Sequence, residues 1–176
     1  EYLVECLLDV GINKIYVVVG YKSKLIKKTL KNSVNYIDNK KFKKTNSIYS
    51  LYLAKKKLIN SNFILMNGDI FISKIYFAKM INQKKSCTYG IKRKKYKDGE
   101  MNIITKKNYI KEISKKINPK SSNAESAQIS YFTKKDTKLL FQEVDSLINK
   151  NLLNLFPASA YSRLIKNSKM IIKFVN

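Results

Sequence analysis

Residues 63–69 read Phe63-Ile64-Leu65-Met66-Asn67-Gly68-Asp69, four apolar residues running into a polar turn. The apolar run is too short for a helix and does not alternate. It has the form of a strand buried on both faces of a parallel sheet. The turn closes the strand, and open α/β sheets place their sites just outside such strand ends. A second run, Ile15-Tyr16-Val17-Val18-Val19 closed by Gly20, has the same form. Around these two strands the spacing becomes helical. Residues 1–10 have apolar positions 3, 4, 7 and 8, with Gly11 as a C-cap. Residues 22–31 carry Leu25, Ile26 and Leu30 on one face. A short strand is expected at 34–37. Asn46 or Ser47 can cap a helix to about Leu58 that buries Ile48, Leu51 and Tyr52, and Ser73 can cap another to about Gln83.

Farther along, strands are expected at 86–91, 101–105, 109–113 and 124–132. A Lys-Asn turn joins the second and third of these. Thr133 caps a long helix to about Asn149, Pro157 starts one more, and 170–175 forms a final strand. Helix and strand alternate in the first half, which implies right-handed crossovers and a parallel sheet. The stretch 86–132 is antiparallel in flavour. With no repeat and no linker, residues 1–176 read as a single α/β domain, mostly parallel with an antiparallel portion.

Composition narrows the chemistry. The 176 residues contain no histidine, which excludes Ser-His and Cys-His pairs and imidazole-based zinc. Cys6 and Cys87 stand far apart, so a disulfide framework is excluded. Two thiols and a start unlike a leader suggest the cytoplasm. No apolar run is long enough for a membrane span. The 36 basic residues against 12 acidic give a net charge of +24. Charge alone points to a polyanion, but only Arg93 and Arg163 are arginines, and specific nucleic-acid readers rely on the arginine fork. The lysines spread along the whole chain, as compositional drift onto solvated faces would place them. A functional basic surface is the other reading, and an anion-binding cleft profits from the charge in either case.

Asp69 is the foremost candidate for chemistry. A carboxylate past a buried strand suits Mg²⁺, which shares hard oxygen ligands with phosphates. Gly68 before it would let a ligand come close. The competing reading of residues 67–69 is a plain turn. Thr45, Asn46, Ser47 and Ser50 open a helix, where backbone N–H groups and hydroxyls either hold an anion or simply cap. Gly20 and Tyr21 form a strand-end loop, and neither phosphate-loop pattern is present. Lys115 and Glu125, taken alone, read as exposed side chains.

The segments LLDVGINKIYVVVGYKSKLI, TNSIYSLYLAKKKL, FILMNGDIFI, DGEMNIITKKNYIKEISKKI and AESAQISYF, in that order, resemble the sugar-1-phosphate nucleotidyltransferase superfamily. Within it the resemblance is to the phosphocholine cytidylyltransferase branch. It implies a Rossmann-like sheet and Mg²⁺-dependent transfer of a nucleotidyl group from CTP to a small phosphorylated acceptor, with release of pyrophosphate. It also implies roles. Asp69 would hold Mg²⁺. Gly20, Tyr21, Thr45, Asn46, Ser50 and Gly68 would lie near the nucleotide. Lys115 would face the acceptor phosphate, and Glu125 would line the acceptor site. Ser126-Ala127-Gln128 stands where the family usually has a bulky residue and then glycine.

Two family features are missing from these residues: the G-x-G-[ST]-R-L loop with its Lys-Pro pair, and a second metal-binding Asp. The strand leading into that loop would be central, between 15–19 and 63–66. The expectation is therefore an internal fragment, inactive by itself, with two unpaired apolar strand edges. Competing readings are a uridylyl- or thymidylyltransferase on the same scaffold, a non-catalytic binding module, and, resting on charge alone, a nucleic-acid-binding domain.

Overall fold

A computed structural model describes residues 1–175. Helix α1 spans Tyr2–Asp9. It ends in a Schellman turn: Ile12 N–H reaches the Leu7 carbonyl and Gly11 N–H the Leu8 carbonyl, both at 2.9 Å, with Gly11 at φ +82°. The chain continues through β1 (Tyr16–Val19), α2 (Ser23–Leu30), β2 (Asn35–Asp38) and α3 (Ser47–Leu58). Next come β3 (Phe63–Met66), α4 (Lys74–Ile81), β4 (Cys87–Ile91), β5 (Asn102–Lys106) and β6 (Tyr109–Ser114). It closes with β7 (Ala124–Phe132), α5 (Lys134–Asn149), α6 (Ser162–Asn167) and β8 (Ile171–Phe174). The helix expected at Pro157 is a 3-10 turn, Pro157–Ala160, that leads into α6. Among the described residues no helix is long and apolar enough to cross a membrane.

The strands fall into two groups. β1 and β2 pair with each other in parallel. The other six form one sheet in the order β3-β7-β4-β8-β6-β5, with β7 also meeting β5. The α/β mixture of parallel and antiparallel strands is as expected, but its balance differs. Among the described residues, β1–β2 and β4–β8 are the parallel pairs, and the other five pairings are antiparallel. The parallel reading rested on β1 and β3, and no pairing joins these two strands. Instead both line a cavity of about 1530 Å³ whose walls also include residues of α1, α2 and α3. The gap falls where the first central strand was expected to be lacking. It also corrects the burial of β1: Val19 is buried, but Tyr16, Val17 and Val18 are only half-buried.

The six-stranded sheet has a core on each face. Alternation along β7 decides the split. Ile129 and Tyr131 join Phe77, Met80, Val4 and Leu7 under α1 and α4. Phe132 packs with Leu140, Phe141 and Leu164 under α5 and α6. Its ring lies 5.0 Å from Phe63 and 5.3 Å, edge-on, from Tyr161. The amino end of α5 is fixed by a buried carboxylate. Asp136 accepts hydrogen bonds from the hydroxyls of Ser86 and Thr133. This ties the helix to the start of β4.

Candidate functional site

The candidate side chains that line the cavity come from the end of β3, the start of α3 and the residue after β6. At the end of β3 the sheet pairing stops at Met66 opposite Ile129. One further bond follows, from Asn67 N–H to the Gln128 carbonyl at 3.3 Å. The Asn67 side-chain amide also donates to Gln128 Oε1. Gly68 and Asp69 then swing free of the sheet, both exposed, and both line the cavity. A Cβ placed on Gly68 would meet no atom within 4 Å, so no protein packing requires glycine there.

Asn46 and Ser50, on the first turn of α3, line the same cavity. The helix start itself has little left for an anion. Ser47 N–H is capped by Asn46 Oδ1 at 2.7 Å, Ile48 N–H reaches the Leu155 carbonyl, and Tyr49 N–H returns to the Asn46 carbonyl. Of the two readings of this segment, capping accounts for the backbone. What remains for a ligand is side chain: the Asn46 Nδ2 donor and the Ser50 hydroxyl.

Lys115 lines the cavity, with its Nζ 4.7 Å above the Phe156 ring. Phe156 and the exposed Glu100 also line it. Four sequence-derived candidates lie outside the lining. Gly20 packs on Phe42; a Cβ there would sit 2.5 Å from the Phe42 Cβ, so close packing accounts for this glycine. Tyr21 is 69% exposed, its ring tilted over Phe42 at 6.4 Å. Thr45 Oγ1 accepts from Asn39 Nδ2 at 3.1 Å and donates to the Lys41 carbonyl at 3.0 Å, which ties up its hydroxyl. Glu125 is gripped by both arms of Arg93, at 2.9 and 3.3 Å. The structure thus gathers Asn46, Ser50, Gly68, Asp69 and Lys115 and leaves Gly20, Tyr21, Thr45 and Glu125 apart. Sequence reasoning missed Glu100, Phe156, Gln128 and the partnership of Asn67. The signal for Gln128 was its place in the segment that departs from the family pattern.

Tyr161 forms part of the buried wall. Burial pushes its phenol up to about 12, partly offset by its hydrogen bond to Ser130, so it stays a neutral donor. A divalent cation is compatible with the donors present. No cluster of three His, Cys, Asp or Glu occurs among the described residues, so the protein would supply the Asp69 carboxylate and phosphates and water the remainder.

The fold is the one seen in solved nucleotidyltransferases. Among the solved structures that match over nearly the whole chain are three such enzymes or assigned enzymes. The CTP:phosphocholine cytidylyltransferase of Streptococcus pneumoniae, LicC, aligns with TM-score 0.74 at 20% identity, covering 99% of this chain and 75% of that one. The inositol-1-phosphate CTP transferase of T. maritima aligns with TM-score 0.70 at 21% identity, covering 98% and 71%. A protein of Bacillus anthracis assigned as a glucose-1-phosphate thymidylyltransferase gives TM-score 0.75 at 18% identity, covering 98% and 72%. In sequence the chain is similar to a phosphocholine cytidylyltransferase over part of its length. It is 39% identical over 72 residues to the choline-phosphate cytidylyltransferase of Streptococcus pneumoniae (strain ATCC BAA-255 / R6). The matched segment spans 40% of this chain and 31% of that enzyme. No family model matches the chain.

Proposed function

We propose that these residues carry the acceptor side and part of the nucleotide side of a cytidylyltransferase acting on a small phosphorylated acceptor such as phosphocholine. The observation that supports this most is the gathering of Asn46, Ser50, Asp69 and Lys115, from three separate segments, around one cavity. In the reaction a phosphate oxygen of the acceptor attacks the α-phosphorus of CTP, a new P–O–P bond forms, and pyrophosphate leaves with the electron pair of the broken bond. Such chemistry is positioning and charge neutralisation, and needs neither histidine nor a covalent nucleophile. The Lys115 ammonium holds the acceptor phosphate. Phe156 beneath it limits where that ammonium can reach. Asn46 and Ser50 offer a donor and a hydroxyl to the nucleotide. Asp69 would hold Mg²⁺, which when bound supplies charge neutralisation on the phosphates.

The 176 residues contain no G-x-G-[ST]-R-L loop to cradle a triphosphate. We therefore expect them to bind substrates without turning CTP over by themselves. Calorimetric titration with phosphocholine and with CTP and Mg²⁺ tests the binding, and pyrophosphate release tests turnover. Asp69→Asn should weaken the Mg²⁺-dependent part of CTP binding by at least the roughly 10- to 100-fold that loss of a partner of a metal ligand costs. Lys115→Met should weaken phosphocholine binding. Tighter binding of UTP or dTTP with a sugar 1-phosphate would replace this reading with the uridylyl- or thymidylyltransferase one. Turnover by the 176 residues would refute their expected inactivity.

A further inference from the structure

Seven residues other than glycine have positive φ among the described residues, and six of them sit beside helix ends or in the β5–β6 turn. The seventh, Gln128 at φ +59°, lies inside strand β7. A long side chain in the left-handed region within a strand is strained, and such strain persists only where the surroundings impose it. Here the surroundings are a bulge. Thr88 pairs with Ser130 and Gly90 with Ser126, so two steps along β4 match four along β7. The Ser126 hydroxyl accepts the Gln128 N–H at 3.0 Å and holds the bulge shut. Bulges re-aim side chains and concentrate next to sites.

The bulge sends Gln128 toward the Asn67-Gly68-Asp69 turn. Its carbonyl takes the Asn67 N–H and its Oε1 takes the Asn67 side-chain amide, so it grips one residue twice. Asp69 lies two residues on, past Gly68, where an added Cβ would meet no atom within 4 Å. A glycine at position 128 would relieve the strain and keep the carbonyl bond, but would lose the side-chain grip. We infer that Gln128 is a positioning residue that fixes the Asn67-Gly68-Asp69 turn and so aims the Asp69 carboxylate. This rests on the proposed role of Asp69 as the metal-binding carboxylate.

The test compares the wild-type chain, Gln128→Gly, Asn67→Ala and the double variant. Three readouts are taken: thermal midpoint, amide hydrogen exchange at Gly68 and Asp69, and Mn²⁺ affinity in the presence of CTP by water-proton relaxation. Gln128→Gly should leave the midpoint close to wild type, because relief of strain offsets the greater freedom of glycine in the unfolded chain. It should speed exchange at Gly68 and Asp69 and weaken Mn²⁺ binding by about tenfold. Asn67→Ala should do the same, and the double variant should be no worse than Asn67→Ala, since both remove one interaction. A lowered midpoint with unchanged exchange and unchanged Mn²⁺ affinity would overturn the inference and leave Gln128 with a purely structural role. If wild type binds no Mn²⁺ with CTP, the proposed function of Asp69 falls instead. Exchange at Gly68 and Asp69 then decides the positioning by itself: faster in Gln128→Gly upholds it, and unchanged rejects it.

Discussion

Gly20 and Gly68 follow the two apolar runs of the sequence in similar fashion, yet the structure gives them opposite settings. At Gly20 a methyl group would meet Phe42 at 2.5–3.1 Å. Gly20→Ala should therefore cost about 1–3 kcal/mol by overpacking, read by chemical denaturation. At Gly68 a methyl group would meet open space. Gly68→Ala should leave stability within about 0.5 kcal/mol while weakening CTP binding, because the space it enters is the cavity. An equal loss of stability in both variants would show that Gly68 also serves packing. At this scale the sequence marked both glycines but could not separate them, since the partner of Gly20 is 22 positions away. The same limit applies to Glu125. A lone acidic residue in a basic chain stood out, but that Arg93 holds it is a fact of two strand ends meeting.

At the scale of elements, β1 and β2 are the weak part of the molecule. A two-stranded sheet has little stability of its own. None of the residues of α2 is buried, and Leu25 is 58% exposed. β7, in contrast, has neighbours on both sides in β3 and β4. Native-state hydrogen exchange should find Val17 and Val18 amides opening at a free energy well below that of Ser130 and Tyr131. Equal protection would mean that the β1–β2 layer unfolds only with the whole. Element boundaries were largely legible in the sequence. The expected 124–132 strand is β7 itself, and Thr133 does precede α5. The strand follows from a local apolar pattern; Thr133 holds the N-cap position without a side-chain cap bond, its hydroxyl donating instead to Asp136. The partners of the strands were not legible. β8 comes last in the chain yet lies between β4 and β6, and only long-range packing puts it there.

At the scale of the whole molecule, two consequences follow. The free edges of β1 and β3 open onto one apolar cavity, and unpaired strand edges invite pairing with other chains. The chain should associate as its concentration rises in sedimentation, and Val18→Lys should reduce that association. Alkaline stability is the second. Burial pushes Cys87 from 9.0 up to about 11 and Tyr89 from 10.0 up to about 12, and Tyr161 rises likewise. Above about pH 9 the unfolded chain therefore holds fewer of these protons than the folded one, and stability falls as pH rises toward 11 and 12. The melting temperature of Cys87→Ala should decline less steeply than that of wild type between pH 9 and 11. Identical slopes would count against a raised thiol.

By itself the sequence determined the α/β class, the strands and helices, the turn that carries Asp69, and a chemistry free of histidine. These follow from periodicity, capping and composition, which act over a few neighbouring residues. Tertiary structure decided what those signals do not reach: which strands pair, that β1 and β3 stand apart across a cavity, and which candidates face it. It also decided that the backbone at the start of α3 is spent on capping, and that Gln128 is held in a strained conformation against Asn67. Each of these depends on groups distant in sequence competing for the same space and the same hydrogen bonds.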